Sequence, residues 1–313
     1  MPKVLKIILY PLIFIASFVF FVYWMFPMEA VQSRIINAME DGLGPDYSVH
    51  IDSIGTYWFT GASLENLTIT HRVQGKDENF LKAERVTARA GIFSLLLGSP
   101  TVSFHAKMGD ASVKGSVHQS EVGWSLDCSF SDLDLSQFPI LQQTTGLNLS
   151  SQIEGEAQIY YDAKQPLKTS GKVDITFDKL QLKAGEVPLG EMGTFPLPDL
   201  SLASGNSVLK IQIDKGALNL DAFALKGEDF NLDVTGKIFL APTVSKYRIN
   251  LQGKFKFSPK LWGVLDPILP EKWAEDLKKQ KGSDDNLPLS ISGQFASPQI
   301  FSGAIAIFPF KPF

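Results

Sequence analysis

From Tyr47 onward the chain alternates apolar and polar residues with a period of two. The alternation is clearest in YRINLQGKFKF, where Tyr247, Ile249, Leu251, Phe255 and Phe257 share one side and Arg248, Asn250, Gln252, Lys254 and Lys256 share the other. That spacing predicts a half-buried strand. The pattern recurs at Leu232, Val234, Ile238 and Leu240; at Leu209, Ile211 and Ile213; at Val173, Ile175 and Phe177; and at Leu289, Ile291 and Phe295. Turn signals such as Asp214-Lys215-Gly216 and Gly227-Glu228-Asp229 separate the runs at hairpin spacing, which predicts a mainly β, mostly antiparallel sheet. The candidate apolar groove or core face is therefore Leu232, Val234, Ile238, Tyr247, Ile249, Leu251, Phe255, Phe257, Ile291 and Phe295.

The N-terminus reads differently. Ile7 to Phe26 carries no charged residue, and at a helical rise it covers about 30 Å, the hydrocarbon thickness of a bilayer. Lys3 and Lys6 precede it, while Glu29, Arg34, Glu40 and Asp41 follow, so the charge bias predicts a single-pass anchor with a cytoplasmic N-terminus. The bulky YWMFPM stretch offers no small-x-small cleavage pattern, which favours an anchor over a removed signal peptide. Val31, Ile35 and Met39 then form one stripe of a short helix over 29–41, halted by the 42–45 stretch. A turn around 91–97 and a helix over 270–281 are the other helical signals. In the latter, Glu271 and Asp276 precede Lys278, Lys279 and Lys281 as the helix dipole favours. Pro188, Pro196 and Pro198 make the 186–200 stretch a loop or edge that divides the β region into two halves. The expected organisation is an N-terminus and anchor over 1–28, a short amphipathic helix and turn over 29–46, and a β-rich domain over 47–313.

Such a sheet poses a geometric problem. A dozen amphipathic strands make a long apolar surface, and soluble proteins seldom leave more than a few hundred Å² of it open to water. With so few helices, the surface is covered by folding into a sandwich, by closing as a barrel, or by curling into a gutter that holds lipid chains or a partner. Periodicity alone leaves all three open.

Composition narrows the chemistry. A net charge of -4 with no basic run longer than the Lys278 to Lys281 cluster lacks the electrostatic footprint of a nucleic-acid binder. The lone Cys128 forms neither an internal disulfide nor a CxxC pair, and reads as a small apolar strand residue. The chain contains no G-x-S-x-G, P-loop, G-x-G-x-x-G or H-E-x-x-H string, so no catalytic, cofactor or metal residue is nominated. His50, His71, His105 and His118 are widely spaced, with no ligand partner beside them in sequence. Glu154 and Glu156 share a strand face and read as solvated. Asp132 and Asp134 lack the glycine and distal glutamate of a calcium loop.

Three stretches carry a family resemblance. They are LKAERVTARAGIFSLLLGSPTVSFHAKMGDASVKGSV (Leu81 to Val117), GLNLSSQIEGEAQIYYD (Gly146 to Asp162), and SVLKIQIDKGALNLDAFALKGEDFNLDVTGKIFL (Ser207 to Leu240) with the closing LSISGQFASPQI. With the anchor, they resemble the type II secretion system protein N family in its longer form, within the AsmA-like group. The motifs are patterns of apolar residues and glycine rather than chemical signatures. The resemblance implies a bacterial inner-membrane protein with a periplasmic β domain, a curled gutter or sandwich, that acts with other secretion or envelope proteins. It implies no catalytic residue and no cofactor. AsmA-like relatives are thought to pass phospholipid between membranes, so a lipid-binding groove is a further implication, and a phospholipid carrier is the alternative function.

Overall fold

The computed structural model describes position 17 and residues 28–309, apart from residues 59, 74–75, 92–93, 95–97, 139–147, 163, 189–193, 242, 268, 270, 283 and 304. The segment expected to be an anchor, Ile7 to Phe26, and most of the turn expected around 91–97 lie outside the described residues. Among the described residues, no helix is long and apolar enough to cross a membrane.

Helix α1 (Met28–Leu43) precedes strands β1 (Tyr47–His50), β2 (Ser53–Tyr57), β3 (Gly61–Val73), β4 (Lys76–Ala90), β5 (Thr101–Met108), β6 (Ala111–Gln119) and β7 (Gly123–Asp134). Next come β8 (Leu149–Ser150), β9 (Gln152–Asp162), β10 (Ser170–Phe177), β11 (Gln181–Leu182), β12 (Gly185–Pro188), β13 (Thr194–Leu197) and β14 (Leu200–Ser201). The chain closes with β15 (Ser207–Asp214), β16 (Ala217–Lys226), β17 (Phe230–Phe239), β18 (Arg248–Phe257), α2 (Pro259–Leu265), α3 (Glu271–Gln280), β19 (Leu287–Gln294), β20 (Ser297–Ser302) and β21 (Ile305–Pro309).

Sixteen strands form one antiparallel sheet in the order β1-β3-β4-β5-β6-β7-β9-β10-β15-β16-β17-β18-β19-β20-β21, with β2 also paired to β3. The order follows the chain, since across a short connection a strand's nearest free edge is its predecessor's, and the longer excursions before β9, β15 and β19 return to that same edge. Two turns show how the sequence enforces this. Between β15 and β16, Lys215 and Gly216 both take positive φ (49° and 75°), the conformation that matches strand twist in a two-residue hairpin. Between β5 and β6, Gly109 at φ 61° starts an equally tight turn. Fourteen inter-strand steps of about 4.8 Å give the sheet a width of roughly 67 Å.

The proline-rich stretch leaves this sheet instead of joining it. Strands β8, β11 and β14 pair as a small second sheet, and β12 pairs with β13. The large sheet runs on beneath them, because β10 and β15 pair directly from Gly171↔Ile213 to Phe177↔Ser207.

Helix α1 covers one edge. Ile35, Ile36 and Met39 pack on Val49, Ile51, Leu64, Leu67 and Ile69, while Glu40 accepts the Val49 N–H (2.9 Å) and Gln32 donates to the Ile51 carbonyl (2.9 Å). These two bonds satisfy backbone groups that an edge strand otherwise exposes. Near the other edge, α2 and α3 pack beside β18 and β19. Helix α2 is too short to show a helical period in the sequence, although Ser258 caps it by accepting the Leu261 N–H and Pro259 begins it, the usual start signal.

Candidate functional site

The register sorts every strand of the large sheet into two faces. One row reads Ile249, Ile238, Leu218, Ile213, Gly171, Ile159, Leu126, Val117, Val102 and Ala90, each residue directly opposite the next. Two positions further along the strands runs a second row: Ile300, Ile291, Leu251, Gly236, Leu220, Ile211, Val173, Ala157, Cys128, Gly115, Phe104, Ala88 and Ala62. A third continues through Leu289, Gly253, Val234, Phe223, Leu209, Ile175, Gly155, Phe130, Val113, Ala106, Val86, Leu64 and Ile54. None of the three contains a charged residue. On the reverse face the corresponding row reads Gln299, Ser292, Asn250, Lys237, Asn219, Gln212, Lys172, Gln158, Asp127, Ser116, Ser103 and Arg89.

All ten residues nominated from the sequence lie on the apolar face. Leu232 faces Phe255, Ile238 faces Ile249, Leu251 faces Ile291, and Phe257 faces Phe230. Val234 lies opposite Gly253, and the Tyr247 and Phe295 rings meet edge-on at 6.5 Å. The equivalent residues of β5 to β9, among them Phe104, Leu126, Cys128, Phe130 and Ile159, were not nominated. The same two-residue period in VSFHAKM, WSLDCSFS and IEGEAQIYY carries them.

Cover is uneven along the strands. In a fourth row Leu287, Phe255, Leu225 and Ile153 are buried, and at this end the small sheet and the two C-terminal helices close over the face. Leu182, Leu200 and Leu261 pack together, as do Phe255, Leu277 and Leu287. Trp262 stacks on Phe257 at 6.1 Å, with Lys281 5.2 Å above its ring. Asp229 ties this cover down. Its buried side chain, 11% exposed, accepts the Ser201 N–H (2.9 Å) and the Ser258 hydroxyl (3.3 Å) and faces Lys260 at 3.7 Å. In the third row only Leu64 and Val234 are buried, in the second none, and in the first only Ile249. This covered end is the closed end below, and the opposite one the open rim.

Side-chain size on the apolar face is also uneven. A Cβ on Gly115 would meet the Phe104 ring at 2.7 Å, and one on Gly155 would meet the Phe130 ring at 2.9 Å, so each phenylalanine lies over a neighbouring glycine. Irregular register interrupts the β7–β9 pairing between Phe130 and Leu133, where Asp132 takes φ 53°, and the β16–β17 pairing between Leu220 and Phe223. Such bulges bend and twist a strand.

Polar chemistry is sparse. Partial burial, through desolvation, pushes the Cys128 thiol above its ordinary pKa, so it stays protonated and poorly nucleophilic near neutrality. Contrary to expectation, one histidine has a carboxylate close in sequence: Asp52, two residues after His50, lies 3.2 Å from His50 Nε2, both well exposed. Glu156 lies 3.6 Å from Lys172, which also pairs with Asp174, on the polar face. Among the described residues, no three His, Cys, Asp or Glu side chains gather as a metal site. Compared with protein-family models, curated proteins and solved structures, the chain matches none.

Proposed function

We propose that this chain is a non-enzymatic, membrane-anchored component of a bacterial type II secretion apparatus whose β domain holds lipid chains against its apolar face. The observation that carries the groove is the second row: thirteen uncharged positions from β20 to β3, none of them buried. All thirteen are half-buried, and hydrocarbon left in water costs about 25 cal/mol per Å², so an apolar occupant stabilises the row. The sheet curls toward that face as a gutter. Supporting this are Gly115, Gly155 and Gly253, each set against a Phe104, Phe130 or Val234 side chain on the apolar face, and the bulges that add twist. The secretion role rests on the resemblance of Leu81 to Val117, Gly146 to Asp162 and Ser207 to Leu240 to that family. Residues 7–26 supply the anchor, with the N-terminus cytoplasmic and the β domain periplasmic.

A clean deletion tests the role: export of folded exoproteins falls while general secretion continues, and unchanged exoprotein levels reject it. Native mass spectrometry of gently extracted chain tests the groove. Stoichiometric phospholipid, lost in Leu251→Asp, is the expected result, and lipid-free protein contradicts it. The unbroken apolar path from β20 to β3 also favours a second reading, an AsmA-like phospholipid carrier between inner and outer membranes. In that case altered outer-membrane lipid composition precedes any secretion defect in the deletion strain.

A further inference from the structure

The exposed apolar side chains are not scattered. Ten large hydrophobic residues stand exposed among the described residues, and nine of them lie within two residues of a strand's open-rim end or in a turn at that end. Only Leu43, at the end of α1, stands elsewhere. The most exposed are Trp58 (66%) in the β2–β3 turn, Leu167 (50%) in the β9–β10 turn and Phe239 (47%) at the end of β17.

Two features separate this belt from the lining of the groove. It wraps both faces: Trp124 and Val117 point to the apolar side, whereas Tyr160 and Phe239 stand on the polar side. Below Tyr160 that side continues as Gln158, Glu156 and Glu154, and below Phe239 as Lys237, Thr235 and Asp233. Aromatic residues therefore break the polar pattern of these strands only at the rim. The rim is also basic within an acidic chain. Arg89, Lys164, Lys168, Lys215, Lys246 and Arg248 gather there against Glu121, Asp162 and Asp214, and Arg89 lies 5.9 Å from the Trp58 ring centre.

Helix α1 supplies the direction. Its Glu40 lies at Val49 and its Gln32 at Ile51, and from Ile51 the chain runs through β2 to Tyr57 at the rim. The N-terminus of α1 thus points toward the rim end, and the uncharged run Ile7 to Phe26 is joined to it.

We infer that the open rim is a bilayer-contacting surface, whose Trp58, Trp124, Tyr160, Leu167 and Phe239 enter the headgroup layer of the membrane that holds residues 7–26. Tryptophan and tyrosine favour that layer, and lysine and arginine favour its anionic surface. The sheet then lies along the membrane with its strands standing on it, and its apolar face opens onto lipid. The inference rests on the reading of residues 7–26 as an anchor.

Tryptophan quenching separates the two. The full chain is reconstituted in phosphatidylethanolamine–phosphatidylglycerol vesicles containing phospholipid brominated on its acyl chains, in variants that each keep one tryptophan and replace the others with phenylalanine. The inference expects Trp58 and Trp124 to be quenched severalfold more than Trp262, which lies under the closed end. Quenching confined to Trp24 leaves the anchor in place and overturns the rim contact, whether a second copy, a partner protein or water meets the rim instead. Quenching of Trp58 and Trp124 without Trp24 removes the anchor and keeps the contact. The wild-type chain gives the same answer without substitutions, through a phosphatidylglycerol with a photoreactive headgroup. Adducts at 120–122, 164–169 and 243–247 with none at 227–229 support the inference, and the reverse distribution overturns it.

Discussion

The two ends of the strands solve one problem in opposite ways. Both present the apolar face of the same sheet, with the same two-residue period and the same kinds of side chain. At the closed end Phe255, Leu287 and Leu225 are buried beneath the small sheet and the C-terminal helices. At the open rim Val102 and Val117, on the same face, are 38% and 36% exposed. Strand sequence does not make the difference. What differs is which connections return over the face: the segment from β11 to β14 and the helices between β18 and β19 cover the closed end, while the rim turns are short. Stability is concentrated at one end, and apolar surface is left available at the other.

The comparison can be broken most forcefully by truncation. Phe255→Ala or Leu287→Ala removes a fully packed side chain and should lower unfolding stability by about 3–5 kcal/mol. Leu251→Ala or Ile211→Ala in the second row should cost only about 1 kcal/mol. Urea unfolding of the four variants checks this, and equal losses at both ends would mean the rows are equally filled. Asp229→Ala strips the Ser201 N–H and the Ser258 hydroxyl of their acceptor and should cost about 1–3 kcal/mol. That loss should come with faster amide exchange in β14 and α2 than in β5 or β6. Gly155→Val sets a branched side chain against the Asp174 carbonyl as well as the Phe130 ring and should cost about 1–3 kcal/mol by overpacking, measured in the same titration. The smallest effect concerns Cys128. Burial raises its pKa, so its thiolate appears at higher pH than that of a free cysteine, and its alkylation should be slower near pH 7 and climb later as pH rises. Stopped-flow alkylation against glutathione checks the order.

Much of this was legible in the sequence, and unevenly so. Alternation in YRINLQGKFKF marked β18, with Ile249, Leu251, Phe255 and Phe257 on one side, because a period of two is dictated locally by the pleat. The Val31, Ile35 and Met39 stripe marked α1, although Ile35, Ile36 and Met39 form its packed side. Proline marked the 186–200 stretch as something other than a main-sheet strand. That this stretch folds back as cover was not legible, because the pairing of Leu182 with Leu200 and their packing on Leu261 join distant residues with no periodic signal. Unequal cover of the two ends was hidden for the same reason. A period reports which side of a strand is apolar, and says nothing of what lies above it. The belt at the rim was missed because Trp58, Tyr160, Leu167 and Phe239 are dispersed in sequence and converge only through the register.

Cys128 gives the most direct test of the central claim, that the middle of the apolar face meets lipid rather than protein or water. It is the sole cysteine and sits in the second row between Gly115 and Ala157. A nitroxide attached there in the full chain, extracted with its native lipid, should collide readily with oxygen and rarely with a water-soluble nickel chelate. The preference should reverse when the label is moved to the polar face, in Cys128→Ala with Ser129→Cys. Rare collision with both reagents at Cys128 would mean a filled protein core. Frequent collision with nickel would mean water on the face, and either result would contradict the account.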